Sequence, residues 1–122
     1  MTADESTTVK GRRGEDVAVE RLVREGYVVV GRNVRVGRGE IDVVARDGDV
    51  LVFVEVRRRE RAEDAMMSVD AKKQARITAA AGAYVATLTD EDVPRCRFDV
   101  VVVAGDATEL VKNAFLASEA TS

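Results

Sequence analysis

Two segments of the chain carry apolar residues at the spacing of an α-helix. In residues 12–25, Val19 and Leu22 lie on one stripe of a largely polar segment, and Gly26 follows where helices commonly end. Residues 70–88 are rich in alanine and repeat apolar side chains every three or four positions, which predicts a second helix with one buried face.

Apolar runs typical of β-strands occupy much of the remaining chain. Residues 27–36 predict a first strand that bends at Gly31, and residues 95–103 predict a later strand that follows the single proline. Residues 108–115 fit either a short edge strand or a turn. The polar stretch 58–69 predicts a loop before the second helix.

Residues 39–46 and 50–57 are two further apolar runs, joined through the Asp-Gly dipeptide at 47–48. Asp-Gly between apolar runs is a strong signal for a β-hairpin. With Asp-Gly as the two loop residues, Asp42 lies opposite Phe53. A four-residue loop centred on the same turn preserves this pairing, whereas a three-residue loop breaks it.

The order of these elements predicts a single α/β domain with an αβββαβ core, in which helices flank a central mixed sheet. A chain of 122 residues is long enough to bury one core. We expect the domain to span residues 10–116, between a disordered lead-in at 1–9 and a flexible tail at 117–122. No apolar stretch approaches the roughly 20 residues that cross a bilayer. With no signal peptide and a single cysteine, we expect a cytoplasmic protein that does not bind membranes.

Two carboxylates interrupt the apolar runs of the hairpin. Because side chains alternate along a strand, the pairing above places Asp42 and Glu55 on one face as diagonal neighbours, with Cβ atoms roughly 7–8 Å apart. Phe53 and Val44 share that face, which predicts partial burial. A buried carboxylate without a partner is costly, and a cation or an arginine beside it offsets the cost.

Each predicted helix also directs one charged residue toward the sheet. Glu15 precedes Val19 by four positions and so lies on the apolar stripe of the first helix. Lys73 precedes Ile77 by four positions on the second helix. Both side chains are therefore expected near the two strand carboxylates.

Structural explanations for the same four residues stay open. Asp42 and Glu55 could lie on a solvated face of the sheet, or Glu55 could pair with a neighbouring arginine. Glu15 in a first turn favours the helix dipole, and Lys73 could extend past apolar neighbours to water.

Composition restricts the chemistry. The chain has no histidine and one cysteine, which excludes histidine-based catalytic triads and argues against zinc. A metal would need oxygen ligands, as Mg²⁺ and Mn²⁺ prefer. The net charge is −3, yet residues 10–76 carry 16 basic and 13 acidic residues. The segment that holds the hairpin is therefore the basic part of the chain, which fits either a nucleic-acid partner or an ordinary solvated surface, since arginine outnumbers lysine throughout.

A family resemblance rests on several sequence blocks in order. An acid in one strand and E-x-K in the next is typical of restriction-endonuclease-like nucleases, and this chain has Asp42 followed by E-V-R at 55–57. The chain more closely resembles the bacterial YraN family, small proteins similar in fold to archaeal Holliday-junction resolvases. The blocks are GRRGEDVAVERLV…GY, RNVR, GEIDVVA, FVEVRRR, the lysines at 72–73, RFDVVVV and NAF.

This resemblance implies a nuclease that acts on DNA with Mg²⁺ or Mn²⁺. It places Asp42 and Glu55 at the metal-binding acids, and Glu15 at the helix acid, which would ligate a second ion or orient water. It places Arg57 where the usual catalytic lysine stands. Arginine stays protonated at any working pH, so Arg57 can clamp a phosphate but cannot act as a base. Lys73 is then the candidate for positioning the attacking water. Resolvase-like folds also imply a homodimer, although the sequence shows no clear apolar stripe for one.

Three functions stay open at this point. The first is a metal-dependent nuclease for structured or branched DNA. The second is a non-catalytic nucleic-acid-binding module of the same fold, in which Arg57 replaces the catalytic lysine and fills the metal position. The third is a protein-interaction scaffold. For the first two, the expected contacts to the nucleic-acid backbone are Arg12, Arg13, Arg58, Arg59 and Lys72.

Overall fold

A computed structural model describes residues 3–59, 69–88, 95–105 and 107–116, with side chains from residue 14 onward. Within these residues the chain forms two helices and five strands around one sheet, which confirms the predicted α/β class and adds a fifth strand. The elements are α1 (Ala3–Arg24), β1 (Val28–Val36), β2 (Gly39–Asp47), β3 (Val50–Arg58), α2 (Ala71–Ala86), β4 (Arg95–Ala104) and β5 (Ala107–Phe115).

The sheet is mixed and keeps the strands in chain order, β1-β2-β3-β4-β5. Only β3 and β4 are parallel, and α2 lies between them in the chain, because a parallel pair needs a crossover connection. The pairing of β1 with β2 is irregular between Val29 and Gly31, next to the predicted bend, and irregularities of this kind commonly bend a strand. Residues 60–68 of the predicted loop and the predicted tail at 117–122 lie outside the described residues.

The first helix is longer than the sequence predicted. It begins at Ala3 rather than at residue 12, so residues 3–9 are helical and not the disordered lead-in that we expected. Residues 3–10 contain neither proline nor glycine, so no helix-breaking residue prevents the helix from beginning at Ala3. Neither helix in the described part of the chain is long and apolar enough to cross a membrane.

The end of α1 is fixed by the glycine that the sequence indicated. Gly26 has a φ of +92°, which is favourable only for glycine. Its amide donates to the Val23 carbonyl at 3.0 Å, and the Tyr27 amide donates to the Leu22 carbonyl at 3.0 Å. This is the Schellman arrangement. It turns the chain so that the Tyr27 side chain is buried beneath the sheet.

The hairpin between β2 and β3 differs by one residue from the prediction. Asp47 pairs with Val50, so the two loop residues are Gly48 and Asp49 rather than Asp47 and Gly48. Gly48, now the first loop residue, has a φ of +62°. A type II′ turn takes glycine at that position, and its twist matches that of the flanking strands.

This shift corrects the expected relation between the two strand carboxylates. Val44 pairs with Phe53, and one further step along the same register after Val43–Val54 brings Asp42 opposite Glu55. The predicted diagonal arrangement is therefore wrong. The shared face is retained, because each residue moves by two positions relative to its partner and strand side chains repeat every two residues.

Apolar side chains fill both sides of the sheet. Phe53 is central on the α2 side, where its ring lies 5.8 Å from those of Tyr84 and Phe98. Leu22 of α1 is fully buried on the opposite side. The α1 side further contains Ala18, Tyr27, Val43, Ala45, Val52, Val54, Val101 and Val103.

A buried polar network, which sequence reasoning missed, lies on the α1 side. Asp99 of β4 is fully buried and accepts hydrogen bonds from the Tyr27 hydroxyl at 2.6 Å and the Asn113 amide at 2.9 Å. Arg97 donates to both Asp99 oxygens at 2.9 Å and also reaches Asp47 at 2.9 Å. The network joins the start of β1, the hairpin and β5 to one central strand.

Close packing of β2 against α2 depends on Gly39. A Cβ atom added there would lie 2.8 Å from the Ala80 Cβ atom, which is shorter than real contacts allow. We expect Gly39→Ala to lower the free energy of unfolding by about 1 to 3 kcal/mol in urea titrations. Gly82→Ala is the matched control, because a Cβ atom at that exposed α2 position meets nothing within 4 Å. It should raise stability by about 0.5 to 1 kcal/mol through helix propensity. Equal effects of the two substitutions would contradict this packing.

Candidate metal centre

Asp42 lies where the backbone pairing of β2 with β3 stops. The last paired residues are Val43 and Val54. Beyond them, the Val56 amide of β3 donates a hydrogen bond to the Asp42 Oδ2 atom at 2.9 Å. The carboxylate thus takes the place of a strand carbonyl, and its position is fixed between the two strands.

Glu55 lies beside Asp42 and is 7% exposed, which is unusual for a glutamate. Its Oε1 atom forms ion pairs with two basic side chains, through the Arg57 Nη1 atom at 3.3 Å and the Lys73 Nζ atom at 3.4 Å. Arg57 comes from the same strand, two residues later, and Lys73 comes from the first turn of α2. Asp70 caps that turn by accepting the Lys73 amide at 2.9 Å, which fixes where α2 begins.

The two carboxyl groups interact directly. Burial, and next the neighbouring Glu55 carboxylate, raise the pKa of Asp42 from 3.8 to about 7. The hydrogen bond from Val56 acts in the opposite direction, because it stabilises the ionised carboxylate. A side-chain hydrogen bond also joins the two acids. Without a bound cation, Asp42 therefore takes up a proton near neutral pH.

An open cavity of about 320 Å³ lies against this pair. Its charged lining is evenly divided between three basic residues, Arg38, Lys73 and Arg76, and three acidic residues, Glu40, Asp42 and Glu55. Sequence reasoning missed Arg38 and Arg76. Arg76 follows Lys73 by three positions, which places both on one side of a helix, so this signal was available in the sequence.

Glu15 does not join the pair in the way that a three-carboxylate centre requires. Its Oε2 atom accepts a hydrogen bond from the Asn33 side chain at 3.2 Å. Its charge contributes to the raised pKa of Asp42, although less than Glu55 does. Among the described residues, no group of three histidine, cysteine or acidic side chains is arranged to hold a metal. The structure therefore brings together Asp42 and Glu55, with Arg57 and Lys73.

Three of the basic residues expected at a nucleic-acid surface, Arg58, Arg59 and Lys72, lie near this end of the sheet. Arg58 and Arg59 are exposed where β3 ends, and Lys72 is exposed beside Lys73. The stem of Arg58 packs on Gly14, because a Cβ atom added there would lie 2.5 Å from its Cδ atom. Arg12 and Arg13 lie in α1, but their side chains are outside the described part of the chain.

The residues present fit one Mg²⁺ or Mn²⁺ ion. Both ligands that Asp42 and Glu55 offer are carboxylate oxygens, the donors that these ions prefer. Magnesium is commonly held by only one or two carboxylates, with water and substrate phosphate as its other ligands. The cavity beside the pair leaves room for such ligands.

Comparison with known proteins identifies the family. The sequence profile of the uncharacterised protein family UPF0102 matches residues 14–103. The chain belongs to the UPF0102 family. UPF0102 comprises the YraN-type proteins, so the family predicted from the sequence blocks is confirmed. The matched region includes the Asp42–Glu55 pair together with Arg57 and Lys73.

Individual UPF0102 proteins are similar over most of their length. A UPF0102 protein of Dechloromonas aromatica is 45% identical over 121 residues, covering 98% of each chain. One from Desulfosudis oleivorans is 45% identical over 116 residues, covering 92% of this chain and 94% of its own. One from Pseudomonas aeruginosa is 44% identical over 105 residues, covering 84% of each chain. The relationship therefore extends over the whole fold.

Proposed function

We propose that this protein is a metal-dependent nuclease that hydrolyses phosphodiester bonds in structured or branched DNA. The observation that carries the proposal is the contact between two largely buried carboxyl groups, Asp42 and Glu55, beside the basic side chains of Arg57 and Lys73. Two neighbouring carboxylates repel one another when both are ionised, and a bound cation would reduce this repulsion.

Each residue has a distinct part in this proposal. Asp42 and Glu55 hold the ion, and the hydrogen bond from Val56 orients the Asp42 carboxylate toward its neighbour. Bound Mg²⁺ supplies an activated water and neutralises negative charge on the phosphate. Arg57 remains protonated, so it binds the phosphate instead of accepting a proton. Exposed Arg58, Arg59 and Lys72 are expected to contact the DNA backbone.

A homodimer is part of the proposal, because a four-way junction has two-fold symmetry and needs two active sites. The edge strand β1 exposes Val28 and Val30, with 65% and 49% of their surfaces accessible, and is the candidate contact. Sedimentation of the protein with and without junction DNA tests this assembly.

The metal site is tested by calorimetric titration of Mn²⁺ into wild-type protein at pH 8. We expect binding that Asp42→Asn and Glu55→Gln each abolish, because each variant removes one of two carboxylate ligands. Asp49→Asn, an exposed carboxylate in the hairpin loop, is the matched control and should bind as wild type does. Binding that survives both site substitutions would place the ion elsewhere and remove the basis for the nuclease.

A non-catalytic nucleic-acid-binding module is the second candidate. It is favoured by the two cations that already pair with Glu55, since they satisfy this carboxylate without a metal. Cleavage assays with junctions, flaps and single strands in Mn²⁺ separate the two candidates. Salt-dependent DNA binding without metal binding or cleavage would favour the module.

A further inference from the structure

The carboxylate pair has its own counter-ions, and they come from two different elements. Arg57 and Lys73 approach the same oxygen of Glu55, at 3.3 Å and 3.4 Å. The side chain of Arg57 is 13% exposed, whereas that of Lys73 is 34% exposed. Lys73 is the more accessible of the two cations, and its ammonium group is carried on a flexible four-carbon stem.

A divalent cation on Glu55 would compete with Lys73 for this carboxylate. Two positive charges at such short separation repel one another strongly in a partly buried site. The backbone of Lys73 is held by the Asp70 cap, so only its side chain can respond. That side chain lines the open cavity and can turn into it.

The cavity would then carry an excess of positive charge. With Asp42 ionised, the three basic and three acidic residues of the lining balance before any ion binds, so a divalent ion leaves the lining positive. An ion with two protein ligands also retains coordination positions for other oxygens. A phosphate group would supply an oxygen ligand to the metal ion. It would also supply negative charge to pair with Lys73, Arg38 and Arg76.

We propose that Lys73 couples metal binding to phosphodiester binding, by leaving Glu55 when a divalent cation binds and pairing with the phosphate that enters the cavity. This inference rests on the proposed nuclease function and adds its regulation: the site holds its metal more tightly when substrate is bound. Coupling is reciprocal, so the metal strengthens phosphodiester binding by the same factor. Typical coupling of this kind changes affinity by about 5- to 150-fold.

The test measures Mn²⁺ affinity by the electron paramagnetic resonance signal of the free ion. The probe is the dinucleotide TpT, which carries one phosphodiester, in millimolar excess. Its matched control is the TpT methylphosphonate, which has the same shape but no charge. We expect TpT to tighten Mn²⁺ binding by about tenfold or more, and the neutral analogue to leave it within about twofold.

Lys73→Met tests the role of the lysine in the same assay. The variant should bind Mn²⁺ about tenfold more tightly than wild type without TpT, since no ammonium competes for Glu55. It should also lose most of the response to TpT. Lys112→Met is the matched control, because Lys112 pairs with Asp47 at 4.0 Å in the network on the other side of the sheet. It should behave as wild type, and circular dichroism would verify that both variants are folded.

The outcomes separate this inference from the function on which it rests. Mn²⁺ binding that is equal with and without TpT would overturn the coupling and leave the metal site standing. Weaker Mn²⁺ binding in Lys73→Met would overturn the role of Lys73 as a displaced counter-ion. Absence of Mn²⁺ binding by wild type under every condition would overturn the nuclease proposal, and the coupling with it.

Discussion

Replacing Asp99 with alanine should lower the free energy of unfolding by about 3 to 5 kcal/mol. The carboxylate is fully buried and accepts four hydrogen bonds, two of them from the guanidinium of Arg97. Its removal deprives Arg97, the Tyr27 hydroxyl and the Asn113 amide of this acceptor in the interior. Arg97 keeps its contact with Asp47, but leaving buried hydrogen-bond donors without their acceptor is among the largest effects of a single substitution.

Urea unfolding followed by circular dichroism measures the loss. Asp99→Asn keeps the shape and one acceptor oxygen but removes the charge, so it should cost less, about 2 to 3 kcal/mol, and stay measurable if the alanine variant does not fold. Glu109→Ala, an exposed acid on β5, is the control and should change stability by less than about 0.5 kcal/mol. Asp99 variants within 0.5 kcal/mol of wild type would show that the network does not stabilise the fold.

Asp42→Asn should have the opposite effect and stabilise the metal-free protein at pH 8 by about 2 to 4 kcal/mol. The pKa of Asp42 rises from 3.8 to about 7 on folding, because of burial and the Glu55 carboxylate, so the folded protein holds this proton more tightly than the unfolded chain. The resulting stabilisation is complete below pH 3.8, shrinks as pH rises, and is lost above about pH 7. Asparagine still accepts from Val56 but never ionises.

Unfolding curves from pH 4 to pH 9 in the presence of EDTA test this difference. Wild type should lose stability relative to Asp42→Asn as pH rises, with the two curves converging near pH 4. Asp49→Asn is exposed and should follow wild type throughout. Parallel curves for wild type and Asp42→Asn would mean that the pKa of Asp42 is not raised. Added Mn²⁺ should stabilise wild type at pH 8 and leave Asp42→Asn unchanged, because ligands stabilise only the state that binds them.

Asp99 and Asp42 are therefore expected to change the free energy of unfolding in opposite directions. Asp99 is fully paired, and we expect it to stabilise the fold, whereas we expect ionised Asp42 beside Glu55 to lower stability in the metal-free protein. Residues that reduce stability at a polar site are a common property of functional positions. The contrast supports assigning the chemistry to Asp42 and Glu55 rather than to the larger network around Asp99.

Local sequence patterns predicted most of the elements and the shared face of the two strand carboxylates. Helical spacing around Leu22 and strand alternation around Phe53 are local patterns, and a cap such as Gly26 acts within one turn. Alternation also survives the error in the hairpin register, so Asp42 and Glu55 stay on one face although their exact pairing was wrong.

Which distant groups meet depends on long-range packing, which local patterns do not encode. The choice of Gly48 as first loop residue depends on the twist of both strands, which local pattern does not encode. The contact of Lys73 with Glu55 requires α2 to dock on the sheet, and Tyr27 reaches Asp99 across 72 positions of sequence. Asp99 interrupts the apolar run RFDVVVV in the same way that Asp42 and Glu55 interrupt theirs. In the fold, Arg97 neutralises Asp99 within the protein, whereas the Asp42–Glu55 pair lies against an open cavity. The sequence does not distinguish the two cases, because burial and pairing are set by long-range packing.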